Sequence, residues 1–89
     1  MSIKVFDTHV RTKDGRYLHF DVLIESNDPE LAKSYARQFL DEQGVQDEDI
    51  AQDICRFCHV EPSNPQVAEA IDKQGYFILK LQGCQEPVT

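Results

Sequence analysis

Ile3-Lys4-Val5-Phe6-Asp7-Thr8-His9-Val10, Arg11-Thr12-Lys13-Asp14-Gly15-Arg16 and Tyr17-Leu18-His19-Phe20-Asp21-Val22-Leu23-Ile24 read as two strands around a turn. The second strand alternates, with Leu18, Phe20, Val22 and Ile24 on one face and Tyr17, His19 and Asp21 on the other, Leu23 being the one lapse. That phase marks the buried face, and the turn then decides what the first strand places opposite it. A two-residue Asp14-Gly15 loop would set Asp7 and His9 inside, against Val22 and Phe20, at a cost of several kcal/mol for an unpaired charge. A three-residue Lys13-Asp14-Gly15 loop, with Gly15 left-handed, shifts the pairing by one residue. Phe6, Thr8 and Val10 then join the apolar row. His9 falls opposite His19 and Asp7 opposite Asp21, so two imidazoles and two carboxylates share one patch of sheet.

The elements that follow carry clear boundary signals. Asp28 caps a helix that begins at Pro29 and holds Glu30 in its first turn. Leu31, Ala32, Tyr35, Ala36, Phe39 and Leu40 form its apolar face, Gly44 ends it, and Val45 folds back on the last turn. Gln46-Asp47-Glu48-Asp49 reads as a solvated acidic connector, and Ile50 to Asp53 suits a helical turn as well as an early strand. The β-branched and aromatic content from Ile54 to Val60 suggests a strand that Pro62 closes.

Ser63-Asn64-Pro65 repeats the helix-start signal, ahead of a shorter apolar face of Val67, Ala68, Ala70 and Ile71 that stops at Gly75. A last strand from Tyr76 to Leu81 would face Phe77, Leu79 and Leu81 inward, and Gly83-Cys84 leads into a short polar tail. The order β-β-α-β-α-β predicts an α+β fold of two layers, residues 1–89 as a single domain, with a four-stranded mixed sheet and two crossover helices. If both helices lie on one face, the His9/His19/Asp7/Asp21 patch is left open on the other. That open face, carrying Leu23 and Ile78 beside its polar residues, suits a homodimer.

Composition narrows the function classes. The 89 residues contain nine Lys and Arg against sixteen Asp and Glu, a net charge of −7, with the cations scattered singly. Nucleic-acid binding needs clustered cations, so neither nucleic acid nor an anionic membrane is expected as a partner. Met1 to Asp7 has neither the basic start nor the apolar run of a secretion signal, and no stretch approaches the roughly 18–20 apolar residues of a membrane span. A cytoplasmic location is expected, in which three cysteines stay reduced. A domain this small hides only about 60–65% of its unfolded surface, which also favours pairing with a second copy.

A second candidate for chemistry is Cys55-Arg56-Phe57-Cys58-His59-Val60-Glu61. Covalent haem attachment uses two thiols and the adjacent imidazole, but its machinery lies outside the cytoplasm. Zinc or iron held by Cys55, Cys58, His59 and Cys84 would match the usual thiolate and imidazole ligands. A straight strand points Cys55 and Cys58 to opposite faces, so both ligate only if the chain turns between them. Thiol redox exchange wants its CxxC at a helix N-terminus, and here the helix starts too late. The plainest reading has Cys55 or Cys58 filling the core as a small apolar residue. For the hairpin, a site built of Asp7, His9, His19 and Asp21 stands against a simple wet sheet face. No glycine-rich phosphate loop is present.

Val5-Phe6-Asp7-Thr8-His9-Val10, His19-Phe20-Asp21-Val22, Cys55-Arg56-Phe57-Cys58-His59 and Gly75-Tyr76-Phe77-Ile78 together resemble a family of small bacterial proteins. That family is a domain of unknown function, number twenty twenty-four. The resemblance runs from near the start to about Cys84 and implies a compact α/β domain of this length, with no activity and no catalytic residues to carry over. The functional expectation is a small binding or interaction domain; the alternative is a metal-binding module, or a small metal-dependent enzyme, using the Cys/His stretch.

Overall fold

The computed structural model describes residues 2–84, and the polar tail read after Cys84 lies outside them. Strands β1 (Ser2–Thr12) and β2 (Tyr17–Ile24) are followed by helix α1 (Pro29–Glu42), a 3-10 turn (Asp47–Asp49), strand β3 (Ile50–Pro62), helix α2 (Pro65–Gln74) and strand β4 (Phe77–Gln82). The fold is α+β, with the expected β-β-α-β-α-β order.

The hairpin adopts the three-residue register. His9 pairs with His19, Asp7 with Asp21 and Phe6 with Val22. Gly15 sits at φ 95°, and the loop closes through the Thr12 amide donating to the Arg16 carbonyl at 2.9 Å. The Thr12 hydroxyl reinforces it, accepting from the Arg16 amide at 2.9 Å and donating to the Asp14 carboxylate.

The sheet is not mixed. Its order is β3-β1-β2-β4, and every neighbouring pair is antiparallel. The chain crosses the sheet twice without making parallel neighbours. Strands β2 and β3, joined by α1, do run parallel, but β1 lies between them. From β3 the chain then passes through α2 to the opposite edge, where β4 pairs with β2.

The helices do not share a face. Ala32, Ala36, Phe39 and Leu40 of α1 pack on Phe6, Val10, Leu18, Phe20, Val22 and Ile24, with the Phe20 and Phe39 rings 4.7 Å apart. Val67 and Ile71 of α2 pack on Ile3, Val5, Leu23 and Phe77, whose side chains point the other way from the sheet. Leu23 is thus no lapse in the alternation; it is the footing of the second helix. On β4 it is Ile78, opposite Val22, that packs on the α1 core, while Phe77 serves α2 and Leu79 and Leu81 stay exposed.

Helix boundaries follow their caps. The Asp28 carboxylate accepts from the Glu30 amide at 3.0 Å, and the Asn64 side chain accepts from the Val67 amide at 2.9 Å. Gly44 takes φ 78°, and the amide of buried Val45 returns to the Leu40 carbonyl. The acidic connector is more ordered than a plain loop. Asp49 caps back onto the Gln46 amide at 2.9 Å, and Asp47 pairs with Arg37. Strand β3 begins at Ile50, which resolves the ambiguous Ile50 to Asp53 stretch.

Candidate functional site

Because α2 is only ten residues long, it covers one end of its sheet face and leaves the rest bare. Cross-strand pairing orders the bare part in rows. Arg56, Asp7, Asp21 and Leu79 form the first; Ile54, His9 and His19 the second; Gln52, Arg11 and Tyr17 the third.

Asp7 is the hub. Its Oδ1 accepts from His19 Nε2 at 2.6 Å and its Oδ2 from His9 Nε2 at 2.8 Å. The two imidazoles stack at 4.0 Å between centroids, 14° from parallel. His9 Nδ1 lies 2.5 Å from the Tyr17 hydroxyl, so both its nitrogens are engaged. One ligand atom from each of Asp7, His9 and His19 falls within 4.8 Å of the others, and each of these side chains is about one-third exposed or less.

The two carboxylates do not ionise alike. Burial pushes Asp7 up, but the hydrogen bonds from His19 and His9 outweigh it and hold the carboxyl below its ordinary range. Burial also pushes Asp21 up, and there the hydrogen bond and negative charge of Asp7 add to the effect, raising it to about 6. A carboxylate raised in the folded state favours folding when protonated, so its contribution is lost as pH climbs from about 4 through about 6. Asp21→Asn is therefore expected to stabilise the metal-free protein by about 1 kcal/mol near pH 8, a figure discounted for partial exposure, and hardly at all near pH 4. Urea unfolding at the two pH values measures this; destabilisation at the higher one would contradict it.

The structure does not bring Cys55, Cys58, His59 and Cys84 together. Cys55 turns to the α1 face, packs against the core there, and its sulfur accepts from the Thr8 hydroxyl at 3.4 Å. Burial pushes its thiol up, the opposite of what a reactive cysteine needs. Between Val5↔His59 and Phe6↔Phe57 the register slips, so Cys58 is the extra, exposed residue of a bulge. His59 bonds Glu61 at 2.7 Å on the opposite face from Cys55. Cys84, beside the His19 carbonyl, follows β4 at the far edge of the sheet, three strand spacings of about 4.8 Å from β3.

All four hairpin residues named from sequence converge. Two residues were missed there, Tyr17 and Arg11. The alternation that put His19 and Asp21 on one face also put Tyr17 there, and the register sets Arg11 against it.

A family model described as a domain of unknown function, DUF2024, matches residues 1–81. The chain belongs to the DUF2024 family. Protein NE1680 from Nitrosomonas europaea, solved by NMR as a structural genomics target, is 42% identical, with a TM-score of 0.75. The match covers 96% of this chain and 100% of that one. No curated protein matches the chain. No described helix is long and apolar enough to cross a membrane. DUF2024 membership agrees with the resemblance drawn from the hairpin and Cys/His stretches, and it assigns no chemistry to either.

Proposed function

We propose that this protein is a small divalent-metal-binding domain whose ion is held on the hairpin by His9, His19 and Asp7, with Asp21 beside them. The observation that carries the reading is the convergence of three donor atoms within 4.8 Å on one bare sheet face. Two imidazole nitrogens with carboxylate oxygen are a donor set for borderline cations such as zinc or ferrous iron.

The surroundings fit that use. An imidazole binds metal through an unprotonated nitrogen, so His9 must carry its proton on Nδ1 if Nε2 ligates. Nδ1 faces the Tyr17 hydroxyl, which can accept from it. The same hydroxyl can donate when Nε2–H bonds Asp7, so Tyr17 supports His9 in both states, as the outer partner of a ligating histidine does. A bound cation would also offset the burial and the Asp7 charge that push the Asp21 carboxyl up, favouring its ionised form as a fourth oxygen ligand.

Metal content of untagged protein, purified without chelator or added metal, and zinc titration by calorimetry test this. One ion per chain is expected, with the histidine side-chain resonances shifting on binding and the thiols reacting as freely with zinc as without it. Absence of saturable zinc uptake would overturn the reading. Zinc that shields thiols would place the ion at the Cys55 to His59 stretch and end the hairpin site.

A further inference from the structure

Next to His9 the sheet face opens into a cleft of about 280 Å³ lined by His9, Arg11, Tyr17, Gln52 and Ile54. We infer that this cleft binds a small carboxylic acid with a short apolar body, its carboxylate on Arg11 and its body over Ile54. The inference rests on the metal reading for one feature only, the ion toward which the far end of the acid would point.

Arg11 gives the cleft its sign. Its guanidinium lies over the Tyr17 ring, 4.6 Å from the centroid, and no carboxylate among the described residues forms an ion pair with it. Arg11 thus lines the cleft with its charge not committed to a carboxylate of the described residues. Stacking on an aromatic face leaves the planar fork of N–H donors free at its edge, and that fork matches a carboxylate through two parallel hydrogen bonds. The net charge of −7 repels anions at long range, so binding depends on this local cation.

The other walls set the size and polarity of the ligand. Gln52, paired with Arg11 across β1 and β3, lines the same cleft and offers an amide donor. Ile54, across from His9, is exposed at 38% and gives an apolar floor. The volume admits an acid of a few carbons.

Butanoate and its uncharged twin butanamide are suitable probes, because they share a shape and differ in charge. With cobalt-loaded protein, butanoate is expected to change the visible spectrum saturably, and in nitrogen-15 spectra to shift Arg11 and Gln52; butanamide should do neither. Arg11→Gln should weaken butanoate by about tenfold or more, the loss of a charge-assisted pair, while the variant still takes up one cobalt per chain. Equal affinity in Arg11→Gln, or equal binding of butanamide, overturns the inference. If the protein takes up no cobalt, the metal reading fails alone, and the nitrogen-15 titration of metal-free protein decides the cleft: shifts at Arg11 and Gln52 that vanish in Arg11→Gln support it, and no shifts at high millimolar butanoate overturn it.

Discussion

Asp7→Asn should reduce zinc affinity by roughly a hundredfold or more while leaving the fold in place. Losing an outer partner of a metal ligand already costs about 10- to 100-fold, and Asp7 is proposed as a ligand itself. It is also the residue that both imidazoles address, through separate oxygens. Asparagine keeps the shape but not the charge, and its amide offers one oxygen acceptor where the carboxylate offered two. The imidazole that meets the amide nitrogen keeps a bond there only by switching tautomer and accepting from it. The fold should tolerate this, because Asp7 lies on the bare part of the sheet face and contributes nothing to either apolar cluster. A stability change within about 1 kcal/mol is expected, since losing a charge-assisted bond is offset in part by relieving Asp21. The Asp21 titration should accordingly move down from about 6 toward the ordinary carboxylate range. Calorimetry with zinc and an NMR titration of the Asp21 carboxyl measure the two effects. Undiminished zinc affinity would remove Asp7 from the site.

The hairpin was legible because two independent signals in it agree. The alternation of Leu18, Phe20, Val22 and Ile24 fixes a face, and only one loop length keeps Asp7 and His9 off it. A wrong register there would have buried two polar groups, so the energetic penalty itself selects the pairing seen. Caps on Asp28 and Asn64 were equally readable, since they are local hydrogen bonds with local consequences. What was not legible depends on partners distant in sequence. Leu23 looks like an error in the pattern until α2 is known to sit behind it, and Leu79 and Leu81 look buried until β4 is known to be an edge strand. The choice of an antiparallel sheet over a mixed one has the same origin, because nothing in α2 itself says which edge the chain will reach next.

The Cys/His stretch shows the reverse case, a local motif that global geometry disperses. Its spacing attracts notice, but β3 is an extended edge strand, and the bulge at Cys58 turns the second thiol out to solvent. Cys55 is held on the α1 face by packing and by Thr8, as a small core residue would be. The hairpin residues have no recognised motif spacing along the chain and meet only across two strands. In this fold the pairing register, more than sequence proximity, decides which groups share a site.

Gly83→Ala is expected to destabilise the protein by about 2–4 kcal/mol, and to do so through the site's own support. Gly83 follows β4 with φ 73°, a conformation alanine adopts at a cost. A Cβ built there would stand 1.9 Å from the Tyr17 carbonyl oxygen and 3.4 Å from the Leu18 Cα. Neither neighbour can swing aside as a flexible side chain would, because both atoms belong to the backbone of β2. Leu18 is fully buried in the α1 core, so the strand cannot give way without disturbing packing. The alternative is that the end of β4 peels off, taking Cys84 from its contact with the His19 carbonyl. Either response reaches the hairpin cluster: the first moves the Tyr17 hydroxyl that bonds His9, and the second loosens the backbone carrying His19. Urea unfolding should show the loss in stability, and the coupling between Tyr17 and His9 should weaken in the NMR spectrum of the variant. Stability unchanged within about 0.5 kcal/mol would mean that β4 does not approach β2 as closely as the structure has it.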